Sequence, residues 1–263
     1  MTNLYTCFWR GNALALDYQT QQRAIADALR EGNTTRDHEL INVLMNCRRG
    51  ERCNLPTCRF CIRRLRRTLV KEMSACFEPM LQRTNLSGVH FSGVLRGETY
   101  PLGQLDRIDL RSLNERIQQH HEHSNLPLVF CGIKNVLDTE PASKTWLSWL
   151  PTVEGLVIGS SEKEVRDALE NVYSFDFRDG LLRWPLSSLP CAVGHAIDSG
   201  FPWRRGSRVE AGHMREFALC LSRYDMSVLY TLNGCRRETK RIVLNPSVRE
   251  RLEKITSAQT NGK

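Results

Sequence analysis

The sequence predicts an α+β fold with a small metal-held module ahead of it, on three observations. Short apolar runs that alternate as strands do are interleaved with amphipathic helical stretches between residues 88 and 177. Four cysteines crowd into residues 47–61, and a run of arginines follows them at once in a chain of net charge +8. At 263 residues and 41% hydrophobic content the chain can bury a sizeable core, as one large domain or as a small metal-dependent domain followed by a larger one. The reading divides it into an N-terminal helical segment (1–46), a cysteine module with a basic helix (47–85), an α+β domain (86–210) and a C-terminal helical extension (211–263).

The first 46 residues carry no functional motif. They begin with the apolar stretch Cys7-Phe8-Trp9 and continue into a helix from about Tyr18 to Arg30, with Ile25 and Leu29 on one face and Gly32-Asn33 ending it. A second helix is expected around Glu39–Met45. Cys47, Cys53, Cys58 and Cys61 follow at spacings of five, four and two intervening residues. The last pair is the tight knuckle that presents two thiolates to one ion, so the spacing predicts a structural zinc site of four cysteines with no open position for water. Cysteines packed as small hydrophobes or paired as disulfides are the rival readings. Arg48, Arg49, Arg52 and Arg59, interspersed among them, argue against burial. The next helix repeats Ile62, Leu65, Leu69 and Val70 on one side while Arg63, Arg64, Arg66, Arg67 and Lys71 point elsewhere. Guanidinium groups held by a metal and a helix suit phosphate oxygens, which makes all these cations candidates for nucleic-acid contact.

From Gly88 the pattern changes. Val89–Arg96 reads as a strand, and Ser112 with Glu115 forms a capping box for a helix. Residues 128–133 make a second strand and Gly155–Ile158 the heart of a third. Ser161 and Glu164 open a helix with Val165, Leu169 and Val172 on one side, and residues 173–177 alternate as a fourth strand. Strand, helix, two strands, helix, strand is the order of a ferredoxin-like sandwich, an antiparallel sheet with helices on one face. Further helices are expected at about 187–198, 210–223 and 247–256.

Over roughly residues 47–210 the chain resembles the rolling-circle replication initiators and related transposases, the HUH endonucleases, whose plasmid-type members carry a cysteine-rich region before a ferredoxin-like, RRM-like nuclease domain. The family's third strand reads Trp-x-Pro-His-x-His-Gly-Leu-Val; here Trp149-Leu150-Pro151-Thr152-Val153-Glu154-Gly155-Leu156-Val157 keeps the frame without the histidines. His195 stands where the family has its tyrosine nucleophile and Asp198 where it has a lysine, ahead of Phe201-Pro202-Trp203-Arg204-Arg205, which keeps the family's paired arginines.

In that family two strand histidines, projecting to one side because strand positions two apart share a face, hold a divalent ion against the scissile phosphate. A helix tyrosine then attacks and forms a phosphotyrosyl link. With Thr152, Glu154, His195 and Asp198 at the key positions, and Asn135 near the third ligand position, the resemblance implies lost catalysis. No catalytic residue is expected, and Mg or Mn would serve only an active enzyme. The expectation is a zinc-stabilised protein that recognises single-stranded or hairpin DNA, with RNA as the other candidate. The sheet would accept a single strand, Arg204 and Arg205 would touch the backbone, and the protein would recruit a larger assembly. The alternatives are a nicking and rejoining endonuclease with an unusual site, and a protein-docking scaffold.

His120, His121 and His123 are set aside as residues at the solvated C-terminal end of a helix, where positive charge suits the dipole. His90 is read as a strand histidine, Tyr173 as a strand residue and Tyr224 as a half-buried helix residue, and most tryptophans as core. The chain has no run of about 18 apolar residues to span a membrane and no secretory signal at Met1–Cys7. Cys7, Cys76, Cys131, Cys191, Cys220 and Cys235 show no short spacing, which suits a reducing, cytoplasmic setting.

Overall fold

The computed structural model describes residues 18–81, 87–139, 147–175, 181–185, 193–194, 196, 210–239 and 241–261. His195, Asp198, Trp203, Arg204 and Arg205, and most of the helix expected at 187–198, lie outside the described residues.

Two layers share one long helix. The first begins with α1 (Tyr18–Gly32), which buries Ile25, Ala28 and Leu29. It ends where Asn33 takes a positive φ of 52°, a conformation asparagine tolerates. Thr34 then caps α2 (Thr35–Met45) through a reciprocal box with Asp37, so this helix starts about a turn earlier than its apolar residues suggest. The cysteine segment leads into α3 (Arg59–Leu81), 23 residues and about 34 Å at 1.5 Å per residue. Ile62, Leu65, Leu69, Met73 and Phe77 form its buried stripe and belong to the core of the second layer.

That second layer is the sheet. Its strands are β1 (Ser87–Leu95), β2 (Tyr100–Pro101), β3 (Leu128–Thr139), β4 (Leu147–Ile158), β5 (Tyr173–Phe175), β6 (Leu181–Pro185) and β7 (Tyr230–Asn233). The spatial order is β5-β1-β4-β3-β7, every pairing antiparallel, with β6 beside β1 and β2 beside β4. Thus the four strands expected from the sequence lie fourth, first, third, second. Between them run α4 (Leu110–His123) and α5 (Glu162–Leu169). The Ser161–Glu164 box caps α5 as expected. Asp109, not Ser112, caps α4: its carboxylate accepts from the backbone N–H of Arg111 and Ser112, so Ser112 lies within the helix.

Residues 211–261 depart from the helical extension expected of them. Helices α6 (Ala211–Leu221) and α7 (Pro246–Asn261) are there, but between them the chain supplies β7 and a two-stranded hairpin, β8 (Cys235–Glu238) with β9 (Arg241–Leu244). Met214 and Ala218 of α6 pack with α1, α2 and the cysteines, so the first layer is closed by a segment from far downstream in the chain.

The helices do not leave one sheet face open. Val89, Phe91, Val153 and Val157 are buried on one side; on the other so are His90, Phe130, Leu156 and Ile158. This corrects the expectation of a sheet surface free to receive a single strand. No helix among the described residues is long and apolar enough to cross a membrane.

Candidate metal centre and basic face

Cys47, Cys53, Cys58 and Cys61 converge from a loop and the first turn of α3, and their sulfur atoms all lie within 4.8 Å of one another. The Cys61 sulfur is 3.6 Å from those of Cys47 and Cys53. A tetrahedral ion with metal–sulfur bonds of about 2.3 Å has sulfur–sulfur edges of about 3.8 Å, close to the two 3.6 Å separations and shorter than the 4.8 Å bound, so the donor set fits such an ion with a small inward shift. All four thiols are free of disulfides. Hydrogen bonds from Cys53 and then Cys58 hold the Cys61 thiol far below the ordinary cysteine range, while bonds with Cys53 and Cys61, together with burial, push Cys58 up. Arg52 Nη1 donates to the Cys47 sulfur at 3.8 Å.

The cluster is more buried than its neighbouring arginines suggest: Cys58 is 0% exposed and Cys61 2%. The reason is Arg59, which folds inward. Its Nε donates to Gln21 Oε1 at 2.6 Å, its backbone N–H to Gln22 Oε1 at 2.8 Å, and its guanidinium lies 5.4 Å from the Tyr18 ring centroid. At 1% exposure Arg59 leaves the set of nucleic-acid candidates and becomes a strut between α1 and α3. Gln21 and Gln22 are functional partners that sequence reasoning missed. The signal was available, since Gln22 lies three residues before Ile25 and seven before Leu29, on the apolar stripe of α1.

The remaining cations divide by exposure. Arg66 is half-buried and donates to the Tyr18 hydroxyl at 3.1 Å, and Arg52 faces sulfur. Arg48, Arg49, Arg63, Arg64, Arg67 and Lys71 are exposed. Arg63, Arg67 and Lys71 recur every four residues, about 6 Å apart along the axis, on the face of α3 opposite its apolar stripe. Arg63 also lies over the Tyr18 ring, 5.3 Å from its centroid.

On the sheet, Thr152 and Glu154 do share a face, opposite Val94 and Ser92 of β1. Thr152 Oγ1 donates to the carbonyl of Leu150 at 3.3 Å, and Glu154 lies 3.9 Å from His90 Nε2. Asn135 pairs with Pro151, one step out of phase with Thr152 and Glu154, so the strand register does not bring it to their face.

His121 is not solvated: it is 0% exposed, and its Nε2 shares a hydrogen bond of 2.9 Å with the Tyr173 hydroxyl. Burial, then the charge of His120, pushes its pKa down to about 3. Burial likewise raises the Tyr173 phenol well above its ordinary value. Tyr224 lies just beyond α6 and donates to the carbonyl of Ile108 at 2.8 Å.

Comparison with known proteins gives no relative from which to transfer a role: no family model, curated protein or solved structure matches the chain. The geometry alone must carry the functional reading.

Proposed function

We propose that this chain is a zinc-stabilised nucleic-acid-binding protein that recognises without cutting. The observation that carries it is the continuity of the cysteine cluster with the exposed row Arg63, Arg67 and Lys71 on α3, flanked by Arg64 and by Arg48 and Arg49 of the loop. Cys47, Cys53, Cys58 and Cys61 hold zinc, the ion fixes the loop against the first turn of α3, and the row of cations meets successive phosphates. The strand order β5-β1-β4-β3, which a ferredoxin-like sheet has, supports kinship with the replication initiators. Thr152, its hydroxyl bonded to its own strand, supports a site released from nicking.

The test is affinity of the zinc-loaded protein for fluorescent duplex, hairpin and single-stranded DNA, and the matching RNAs, over a salt series. Binding should fall steeply with salt, and R63A/R67A/K71A should flatten the slope by about 2–3 for duplex DNA, the amount expected for three lost phosphate contacts. Absence of binding to any of these at low salt would sink the reading.

One observation favours the nicking alternative. His90 and Glu154, on neighbouring strands and one face, are two potential ligands for a divalent ion 3.9 Å apart. Cleavage or a covalent adduct on a denaturing gel with magnesium or manganese, abolished by E154Q, would establish it.

A further inference from the structure

The β8–β9 hairpin carries three arginines, Arg236, Arg237 and Arg241, against the single carboxylate of Glu238. Gly234 starts it at a φ of +77°, where any β-carbon would stand 2.2 Å from the carbonyl oxygen of Pro127. Strand register then gives the hairpin two faces. Cys235 pairs with Leu244 and Arg237 with Ile242 on one, Arg236 with Val243 and Glu238 with Arg241 on the other.

The first face is turned to the protein. Cys235, Ile242 and Leu244 are buried, and Arg237 forms a bidentate pair with Glu72 of α3, Nε at 2.7 Å and Nη2 at 3.0 Å from its two oxygens. The Glu72 side chain is only 7% exposed, so this is a geometrically fixed joint and not a loose surface pair. Glu72 follows Lys71, the last cation of the α3 row, in sequence and lies about 100° round the helix from it, so the hairpin flanks the row rather than continuing it. On the second face Arg236 and Arg241, 65% and 74% exposed, share the carboxylate of Glu238 and leave an excess of positive charge in solvent.

We propose that this hairpin is a second nucleic-acid contact, a basic ribbon set rigidly against the basic helix, and that the two together take a double-stranded segment in preference to a single strand. The proposal rests on the nucleic-acid reading above and deepens it. Single strands are gripped by exposed aromatic platforms within a basic groove. Among the residues whose burial is described no Phe, Tyr or Trp is exposed, and Phe91, Val153 and Val157 on one face of the central strands, with His90, Phe130 and Leu156 on the other, are buried. What the described residues offer at the surface is guanidinium and ammonium groups on two neighbouring elements, a helix and a two-stranded ribbon. Both element types fit the major groove of a duplex, whose phosphates supply one charge per 1.7 Å or so of axis.

The experiment compares the full-length, zinc-loaded wild type with R236A/R241A, R63A/R67A and E238Q on a 20-base-pair DNA duplex and on one of its strands, over a salt series. R236A/R241A should weaken duplex binding about tenfold at low salt and flatten the salt slope by about 1.8, the release expected for two phosphate contacts, with single-strand affinity unchanged. E238Q, which removes the carboxylate that both guanidiniums share, should tighten duplex binding. Melting temperature should be unaltered in both hairpin variants, because the substituted side chains face solvent. If R63A/R67A weakens duplex binding while R236A/R241A does not, or if the hairpin variant loses single-strand and duplex affinity equally, the ribbon proposal is wrong and the helix reading stands. If the wild type binds neither probe at low salt, the underlying reading falls and takes the ribbon with it.

Discussion

The cysteine layer and the sheet are held by different physics, although α3 runs through both. In the sheet, Val89, Phe91, Val129, Phe130, Val153 and Val157 are at most 1% exposed and the core is apolar, with a small bonded island around His121, Tyr173 and Cys131. In the cysteine layer the aliphatic residues of α1 and α2 are supplemented by polar joints: Arg59 with Gln21 and Gln22, Asp37 with Arg215, and four thiols at one point. A layer with so few large side chains gains its order from specific bonds. It should therefore be conditional on the zinc proposed above and on pH, whereas the sheet should respond to volume.

The largest effect that would break this contrast comes from the thiols. Removing zinc with a chelator, or the substitution Cys58→Ser, should take away on the order of 10 kcal/mol of local stabilisation. Hydrogen exchange should then show α1, α2 and the first turns of α3 losing protection while β1, β3 and β4 keep theirs. Loss of protection in both layers together would mean that the chain is one cooperative unit and the contrast is false. Next comes Phe91→Ala in the sheet. Its ring, 0% exposed, meets His121 edge-on at 6.1 Å and Tyr173 at 5.6 Å, so truncation should cost about 3–5 kcal/mol in urea unfolding.

The polar joint of the first layer sharpens the comparison through pH. Burial alone would raise the carboxyl of Asp37, but hydrogen bonds from Arg215 and Thr34 outweigh it and hold the group below the usual carboxylate range. Arg215 meets it through two bonds of 2.9 Å. A depressed acid stabilises the fold fully above its unfolded pKa of about 4 and loses that contribution as pH falls through the lower folded value. The first layer should thus weaken below about pH 4, and Asp37→Ala should cost about 3 kcal/mol at neutral pH and abolish that acid dependence. An unchanged acid transition in the variant would show that Asp37 is not the group responsible.

What can be read from the sequence follows the same division between local and distant causes. The cysteine cluster is legible because its four ligands fall within fifteen residues, and α5 because Ser161 and Glu164 satisfy each other three residues apart. The four main strands are legible as short apolar runs, of which only residues 173–177 alternate strictly. Arg59 misleads because the glutamines that draw it inward lie 37 and 38 residues earlier. β7 escapes a sequence reading because Tyr230–Asn233 is too short a run to signal a strand, and β8 because Arg236 and Arg237 give no apolar rhythm. They become strands only by pairing with β3 and β9, and Arg237 is anchored by Glu72, 165 residues away. An open sheet face follows from the helix count alone; burial of His90 and Leu156 on that face cannot be seen in β1 and β4 themselves.

The smallest effect, and the one that tests the sheet's dependence on volume most directly, is Gly155→Ala. Gly155 sits at the crossing of three strands, opposite Phe91 on β1 and Cys131 on β3. A β-carbon there would stand 2.5 Å from Phe91 Cε1 and 2.8 Å from the Cβ of Cys131. The ring is confined by His121 and Tyr173, so it cannot swing away freely, and the Cys131 Cβ is fixed to backbone. One methyl group should therefore cost about 1–3 kcal/mol through overpacking. The companion Phe91→Leu, which vacates the ring edge, should recover part of that loss in the double variant, a coupling expected between residues in contact. The apolar layer would then be limited by shape where the cysteine layer is limited by bonds. Additive losses in the double variant would instead show that the glycine is needed for its backbone and not for the space it leaves to Phe91.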